Sequence, residues 1–315
     1  MRTLITGAAG FLGSHLCDAM LSEGHSVVGI DNFSTGSLDN VRHLKSEPCF
    51  ELIEGDVSQV FDCGSVDYVF HFASPASPDE YTRLGLETLQ TGSSGSFNCL
   101  EIARRYGAKY LLASTSECYG DPLEHPQKET YWGDVNPIGP RSVYDEAKRF
   151  AEAVTMAYCR YSHVDTRIVR IFNTYGPRLQ MDDGRVISNF VRQALQEEDL
   201  TIYGTGEQTR SFCDVSDEID GIVRLSRSNV NAPVNIGNPS EFTVLECAQL
   251  VLKVTGSRSK IRFVPGMEDD PRRRCPDISE ATNLLGWRPL VNLESGLRLS
   301  LKYFKDAMVR EVAAA

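Results

Sequence analysis

Three evenly spaced glycines, wedged between a β-prone segment and a helical pattern, leave this chain few ways to begin folding. Thr3-Leu4-Ile5-Thr6 runs straight into Gly7-Ala8-Ala9-Gly10-Phe11-Leu12-Gly13, and a helical pattern continues to Glu23. Alone, such glycines fit any tight surface turn. Between a strand and a helix they let the backbone approach a pyrophosphate seated at the helix N-terminus. The spacing is Gly-x-x-Gly-x-x-Gly, a variant of the commoner dinucleotide turn. After Gly24, the segment Ser26-Val27-Val28-Gly29-Ile30 reads as a second strand ending in Asp31, eighteen residues beyond Gly13. A carboxylate there can accept both ribose hydroxyls of NAD and would repel the 2′-phosphate of NADP. No arginine follows directly in Asn32-Phe33-Ser34-Thr35-Gly36, so the expected cofactor is NAD.

The alternation of strand and helix signals continues. Phe50 to Ile53 is a strand leading to Asp56 and Val57, expected at the adenine edge. Val66 to Phe72 is a fourth strand running into a loop with Ser74, and one helix of roughly 25 residues is expected to end near Tyr106-Gly107. Lys109 to Ala113 delivers Ser114-Thr115-Ser116-Glu117, and Thr166 to Phe172 is a further strand. His71 reads as a strand-end core residue, with no companion at metal spacing. Strands separated by helices predict parallel βαβ units, hence an α/β fold with a Rossmann-like doubly wound parallel sheet and ligands at the C-terminal strand ends. From Asn173 the pattern becomes irregular, with a helix near Val186 to Gln196, a strand at Leu200 to Tyr203, and Pro233 to Gly237 returning to the sheet. Helices are expected near Val244 to Thr255 and Glu294 to Val312. The expected division is a dinucleotide domain of residues 1–173 and 211–237, and a smaller, discontinuous α/β substrate-binding domain of residues 174–210 and 238–315.

The chemistry centres on Ser142-Val143-Tyr144-Asp145-Glu146-Ala147-Lys148, at the start of an amphipathic helical run to about Tyr161. Tyr144 and Lys148 lie one turn apart and leave the same helix face. A phenol titrates near pH 10, and an adjacent ammonium favours the phenolate, which suits proton exchange with an alcohol being oxidised. A net charge of −11 argues against a nucleic-acid surface or an anionic-membrane anchor. Nine cysteines without a Cys-x-x-Cys pair fit reduced thiols better than disulfides or zinc. With glycines interrupting the apolar N-terminus and no apolar run of membrane-spanning length, a cytoplasmic location is expected.

Gly7/Gly10/Gly13, Asp31, Thr115 and Tyr144/Lys148 together resemble the extended short-chain dehydrogenase/reductase superfamily. Longer segments narrow this. Ala113 to Pro122, Tyr131 to Arg141, Arg170 to Arg178, Asp183 to Phe190, Gln208 to Phe212, Asp269-Asp270-Pro271 and Arg274 to Ile278 look like the UDP-glucuronate decarboxylase (UDP-xylose synthase) family. The resemblance implies oxidation at the sugar C4, loss of the C6 carboxylate from the resulting ketone, and return of the hydride, with NAD regenerated. It implies catalytic roles for Thr115, Ser116, Glu117 and Arg274 beside Tyr144 and Lys148. It implies cofactor contacts from Phe11, Leu12, Asn32, Ser34, Thr35 and Gly36, and from Phe72, Ser74, Thr91, Ala113, Thr174 and Arg185. For the UDP-sugar it implies Glu117, Asn173, Arg185, Tyr203, Gln208, Arg210 and Arg274. It also implies a homodimer, in which the helices near Tyr81 to Tyr106 and Val143 to Tyr161 pair as a four-helix bundle, with Leu86, Leu89, Phe97, Leu100, Phe150, Val154 and Tyr158 as surplus apolar residues.

The chain departs from the family pattern at three places. Gln90 stands where the family usually has a lysine expected beside the sugar, Gly92 where it has asparagine, and Ala147 where it has glycine. A nucleotide-sugar 4,6-dehydratase or 4-epimerase would share Tyr144, Lys148 and NAD. A dehydratase would be expected to carry an Asp-Glu pair after Thr115, where this chain has Ser116-Glu117. A catalytically silent NAD-sensing protein is the remaining alternative, against which the intact Tyr144/Lys148 pair argues.

Overall fold

The computed structural model describes residues 1–266 and 271–314. Seven strands form one sheet: β1 (Arg2–Thr6), β2 (Ser26–Asp31), β3 (Phe50–Glu54), β4 (Tyr68–His71), β5 (Lys109–Thr115), β6 (Thr166–Ile171) and β7 (Pro233–Ile236). Their order is β7-β6-β5-β4-β1-β2-β3, and all six pairings are parallel. The order reverses between β1 and β4, which opens a crevice at the C-terminal strand ends.

Alternate residues of each strand feed different cores, as a two-residue period requires. Ile5, Val27 and Leu111 pack with α1 (Phe11–Ser22) on one face, through Leu16, Cys17 and Met20. Leu4, Val28, Tyr110 and Leu112 pack on the other face, against Cys99, Leu100, Ala151 and Val154. A third core joins Phe190, Val191 and Ala194 to Ile202, Val251, Leu297 and Phe304, and lies over the strand ends rather than on the sheet. The sheet return at Pro233 and the helices Val186–Leu195, Val244–Thr255 and Leu293–Ala314 follow expectation closely.

The stretch before Tyr106 is not one helix but α2 (Pro78–Arg83), α3 (Gly85–Gln90), a π-helical turn at Thr91–Gly95, and α4 (Ser96–Tyr106). Leu84 breaks the first pair with φ −112° and ψ 44°. The run Thr91-Gly92-Ser93-Ser94-Gly95 contains no strong helix former, so packing decides its shape. Strand β4 is also shorter than expected, beginning at Tyr68. The helix carrying Tyr144, α5 (Ser142–Ser162), crosses this broken segment. All nine cysteines are free. Among the described residues, no helix is long and apolar enough to cross a membrane, and no group of three or more His, Cys, Asp or Glu side chains could hold a metal ion.

Candidate active site

A cavity of about 360 Å3 occupies the crevice and continues beneath the third core. It gathers every residue expected at the site except Gly36, which lies outside the lining beside Asp31. At the cofactor end, Gly7 has φ +69°, and a Cβ there would meet the Ala73 backbone at 2.9 Å. At Gly13 a Cβ would sit 2.0 Å from the Gly7 carbonyl oxygen, so only glycine lets α1 start this close to β1. The N-cap Gly10 supplies no side-chain acceptor, leaving first-turn amides available to an anion.

Asp31 ends β2 with its carboxylate buried. The Ala9 amide donates to Oδ2 at 2.9 Å and the Phe33 amide to Oδ1 at 2.8 Å. Burial raises its pKa and these amides oppose the rise. Each oxygen keeps acceptor capacity for a hydroxyl, so the residues fit an NAD ribose. Arg83 reaches the Ser34 carbonyl at 3.5 Å from α2, but its guanidinium also pairs with Glu80. Asp31→Ala is expected to weaken NAD binding and relax discrimination against NADP. Calorimetric titration of both cofactors checks this, and equal wild-type affinities would overturn it.

At the reacting end, Thr115 is a hydrogen-bond partner of the Tyr144 hydroxyl. The Lys148 ammonium donates to the Ala113 carbonyl at 2.9 Å and lies 5.7 Å from the Tyr144 ring centroid. Burial pushes the Tyr144 phenol up, and Thr115 opposes it. Burial also pushes Lys148 down to about 8. His71 is buried, joined to Thr6 Oγ1 at 2.9 Å and pushed down to about 3 by burial and then by Lys148; it is a neutral core residue.

Beside this pair lies a group of charges that the sequence only partly revealed. Arg274 grips Glu117 with two hydrogen bonds, of 2.5 and 2.7 Å, and Arg141 adds a third at 2.8 Å. Burial acts most strongly on Glu117 and raises its pKa, but Arg274 and Arg141 together overcome it and hold the carboxyl well below the usual range. Glu117 is therefore an anion here, with no proton to donate and little basicity, and it acts as a hydrogen-bond acceptor. The Arg274 fork, expected on substrate oxygens, is turned onto Glu117.

Three further members carry no sequence assignment. Arg141 was visible only as part of a motif. Tyr81 stacks on Tyr144 with centroids 4.9 Å apart and planes 7° from parallel. Asp145 is buried, leaves Oδ1 without a partner, and is pushed up by burial and then by Glu117. Their nearest signal was position: Arg141 and Asp145 flank Tyr144 within one helical turn.

Arg274 also pairs with Arg210 in register on adjacent short strands, Arg273–Arg274 and Thr209–Ser211. Arg185 pairs with Asp183 at 3.0 Å, and Gln208 donates to the Tyr203 carbonyl at 2.7 Å. Gln90 is exposed and does not line the cavity. Asp269 and Asp270 lie outside the described residues.

The family model described as "NAD dependent epimerase/dehydratase family" matches residues 3–237. UDP-glucuronic acid decarboxylase 1 of Danio rerio is 54% identical across 96% of this chain and 72% of its own length. UDP-glucuronic acid decarboxylase 2 of Arabidopsis thaliana is 52% identical across 97% and 68%. Among solved structures, UDP-glucuronic acid 4-epimerase from Bacillus cereus, in complex with UDP-glucuronic acid and NAD, superposes with a TM-score of 0.86 at 28% identity, covering 98% of this chain and all of the other. On these matches, the chain belongs to the NAD-dependent epimerase/dehydratase family and, within it, to the UDP-glucuronic acid decarboxylases.

Proposed function

We propose that this protein converts UDP-glucuronate to UDP-xylose and carbon dioxide through a 4-keto sugar, with NAD regenerated in each cycle. The observation that carries this reading is the Glu117–Arg274 fork, which opens on the same cavity as Tyr144 and Lys148 in a chain 54% identical to a named decarboxylase. The Gly7–Gly13 turn would hold the NAD pyrophosphate and Asp31 its ribose, while Thr115, Tyr144 and Lys148 flank the reacting end. Bound NAD supplies the hydride acceptor for C4 and the hydride that returns to it. Tyr144 takes the C4 hydroxyl proton, with Thr115 hydrogen-bonded to the phenol. The resulting ketone lies β to the C6 carboxylate, so the C5–C6 bond breaks and its electron pair enters an enolate. Solvent water then supplies the proton to C5 on the Ser116–Glu117 side, with anionic Glu117 accepting a hydrogen bond from it. Tyr144 gives its proton back to the C4 oxygen as the hydride returns to C4. Arg185, Arg210 and Gln208 bind the UDP portion, with Asn173 and Tyr203 beside them. The NAD half comprises residues 1–173 and 211–237, and the sugar half residues 174–210 and 238–315. The third core supports two halves, but Ala281 and Trp287 pack in the sheet core and Phe212 in the third core, so the chain crosses between them at these places.

Incubation with UDP-glucuronate and NAD should release carbon dioxide and give UDP-xylose by NMR. An epimerised hexuronate without carbon dioxide would establish the rival 4-epimerase instead.

The protein acts as a homodimer in this reading. Leu86, Leu89, Phe97 and Phe150 are exposed, and Phe97 meets Phe150 edge-on with centroids 6.2 Å apart. Leu100 and Val154 do not belong to that face; both are buried in the sheet core. An apolar patch of this kind marks an association surface. Light scattering should report a dimer at micromolar concentration and a shift to monomer in Phe150→Glu. A wild-type monomer would overturn the assignment.

A further inference from the structure

Gly92, in the π-helical turn Thr91–Gly95, faces Ala147 across the crossing with α5, and both are buried. A Cβ on Gly92 would lie 2.7 Å from the Ala147 Cβ, 2.8 Å from its carbonyl oxygen and 3.1 Å from its carbonyl carbon. Separations below 3.0 Å do not occur between real atoms of this kind, so one side must move. Backbone conformation does not explain the glycine, because Gly92 is absent from the positive-φ positions. Space alone excludes a side chain at 92, and the atom nearest that space is the Ala147 methyl.

We infer that Gly92 and Ala147 are one matched steric exchange: the side chain missing from the π-helical turn leaves the room that the methyl carried on α5 occupies, and the pair sets the seat of the catalytic helix. The functional consequence rests on the decarboxylase reading above. Ala147 immediately precedes Lys148, whose ammonium reaches the Ala113 carbonyl at 2.9 Å. One turn earlier, Tyr144 meets Thr115, and Thr91, next to Gly92, lines the cavity. A side chain forced in at 92 drives the π-helical turn and α5 apart at the point where both catalytic side chains leave α5. Gly92 is thus a positioning residue for Lys148 and Tyr144, although it touches no reacting atom.

The test is a double-mutant cycle of Gly92→Ala, Ala147→Gly and the two combined, read in kcat, KM and thermal midpoint. Gly92→Ala should lower kcat by about ten- to a hundredfold with little change in KM, as small misplacements of catalytic groups do. It should also lower the midpoint. Ala147→Gly alone should cost little in kcat. The double variant should regain much of the lost kcat and midpoint; the 2.8 Å carbonyl contact persists, so recovery is partial. Wild-type kcat in Gly92→Ala, or equal losses from Ala147→Gly in both backgrounds, would overturn the pairing. Should Gly92→Ala fail to fold, a folded and active double variant supports the exchange, and an equally insoluble one overturns it. A wild-type protein inactive on UDP-glucuronate would sink the decarboxylase reading instead, while the cycle in thermal midpoint would still judge the pair.

Discussion

Arg274→Ala should lower turnover of UDP-glucuronate by about 10²–10⁴-fold, the range expected when a positioned catalytic group is lost. Glu117 is a buried anion held by two arginines, and burial is the strongest influence on it. Deleting Arg274 leaves the carboxylate with Arg141 and removes the larger of the two attractions opposing burial. Breaking a buried ion pair typically costs about 3–5 kcal/mol, with Arg141 keeping the loss toward the lower end. The sign of the pH effect follows. A carboxyl whose folded pKa is depressed contributes stability above its unfolded pKa and loses it as pH falls through the folded one. With Arg274 gone, the folded pKa rises, so both stability and the acid limb of kcat should fail at higher pH than in wild type. Glu117→Gln should show a comparable loss of turnover with NAD binding intact, because Glu117 makes no contact with the Asp31 end. If these residues act only after the ketone forms, single-turnover mixing of either variant should still show reduced-nicotinamide absorbance. Its absence would mean that they also position the sugar for oxidation. Full activity in Arg274→Ala would remove the main feature separating this site from its epimerase relatives.

The part of this site that could be read from sequence was the part encoded locally. The Gly7–Gly13 turn, Asp31 at the end of β2, and Tyr144 with Lys148 depend on short-range geometry: a strand end, a helix start, one helical turn. The same holds for β1, β2 and β5, whose alternating residues supply both sheet cores. The broken segment before α4 was misread because its apolar residues keep helical spacing, while its glycines answer to packing across α5. Gly92 beside Ala147 is the case in point, since neither residue signals the other along the chain. The small sheet of Glu241–Thr243, Thr209–Ser211 and Arg273–Arg274 joins three distant pieces, each too short to carry a periodic signal. That sheet nonetheless sets Arg274 beside Arg210. Arg141, Tyr81 and Asp145 went unassigned for a related reason. Their significance lies in burial around Glu117 and Tyr144, and burial is a property of the assembled molecule.

Tyr144→Phe should abolish product and reduced-nicotinamide formation together, again by about 10²–10⁴-fold or more, because it removes the acceptor for the C4 hydroxyl proton before any ketone exists. The fold should survive. The stack on Tyr81 uses the ring, not the hydroxyl, and the principal loss is the bond with Thr115. The pH profile gives a second readout. Burial holds the phenol in its protonated form, so the small basic fraction grows as pH rises, and wild-type kcat should climb steadily with pH through the neutral range. Lys148, pushed down to about 8, remains mostly charged at neutral pH and loses its charge above that value. A fall in kcat on the alkaline side should therefore accompany its titration, and Lys148→Met should lower the rate and erase that limb. Residual activity in Tyr144→Phe should lack the rise with pH that the wild type shows. If the variant still generated the reduced-nicotinamide signal at a wild-type rate, another group would be taking the C4 proton, and the role given to Tyr144 would be wrong.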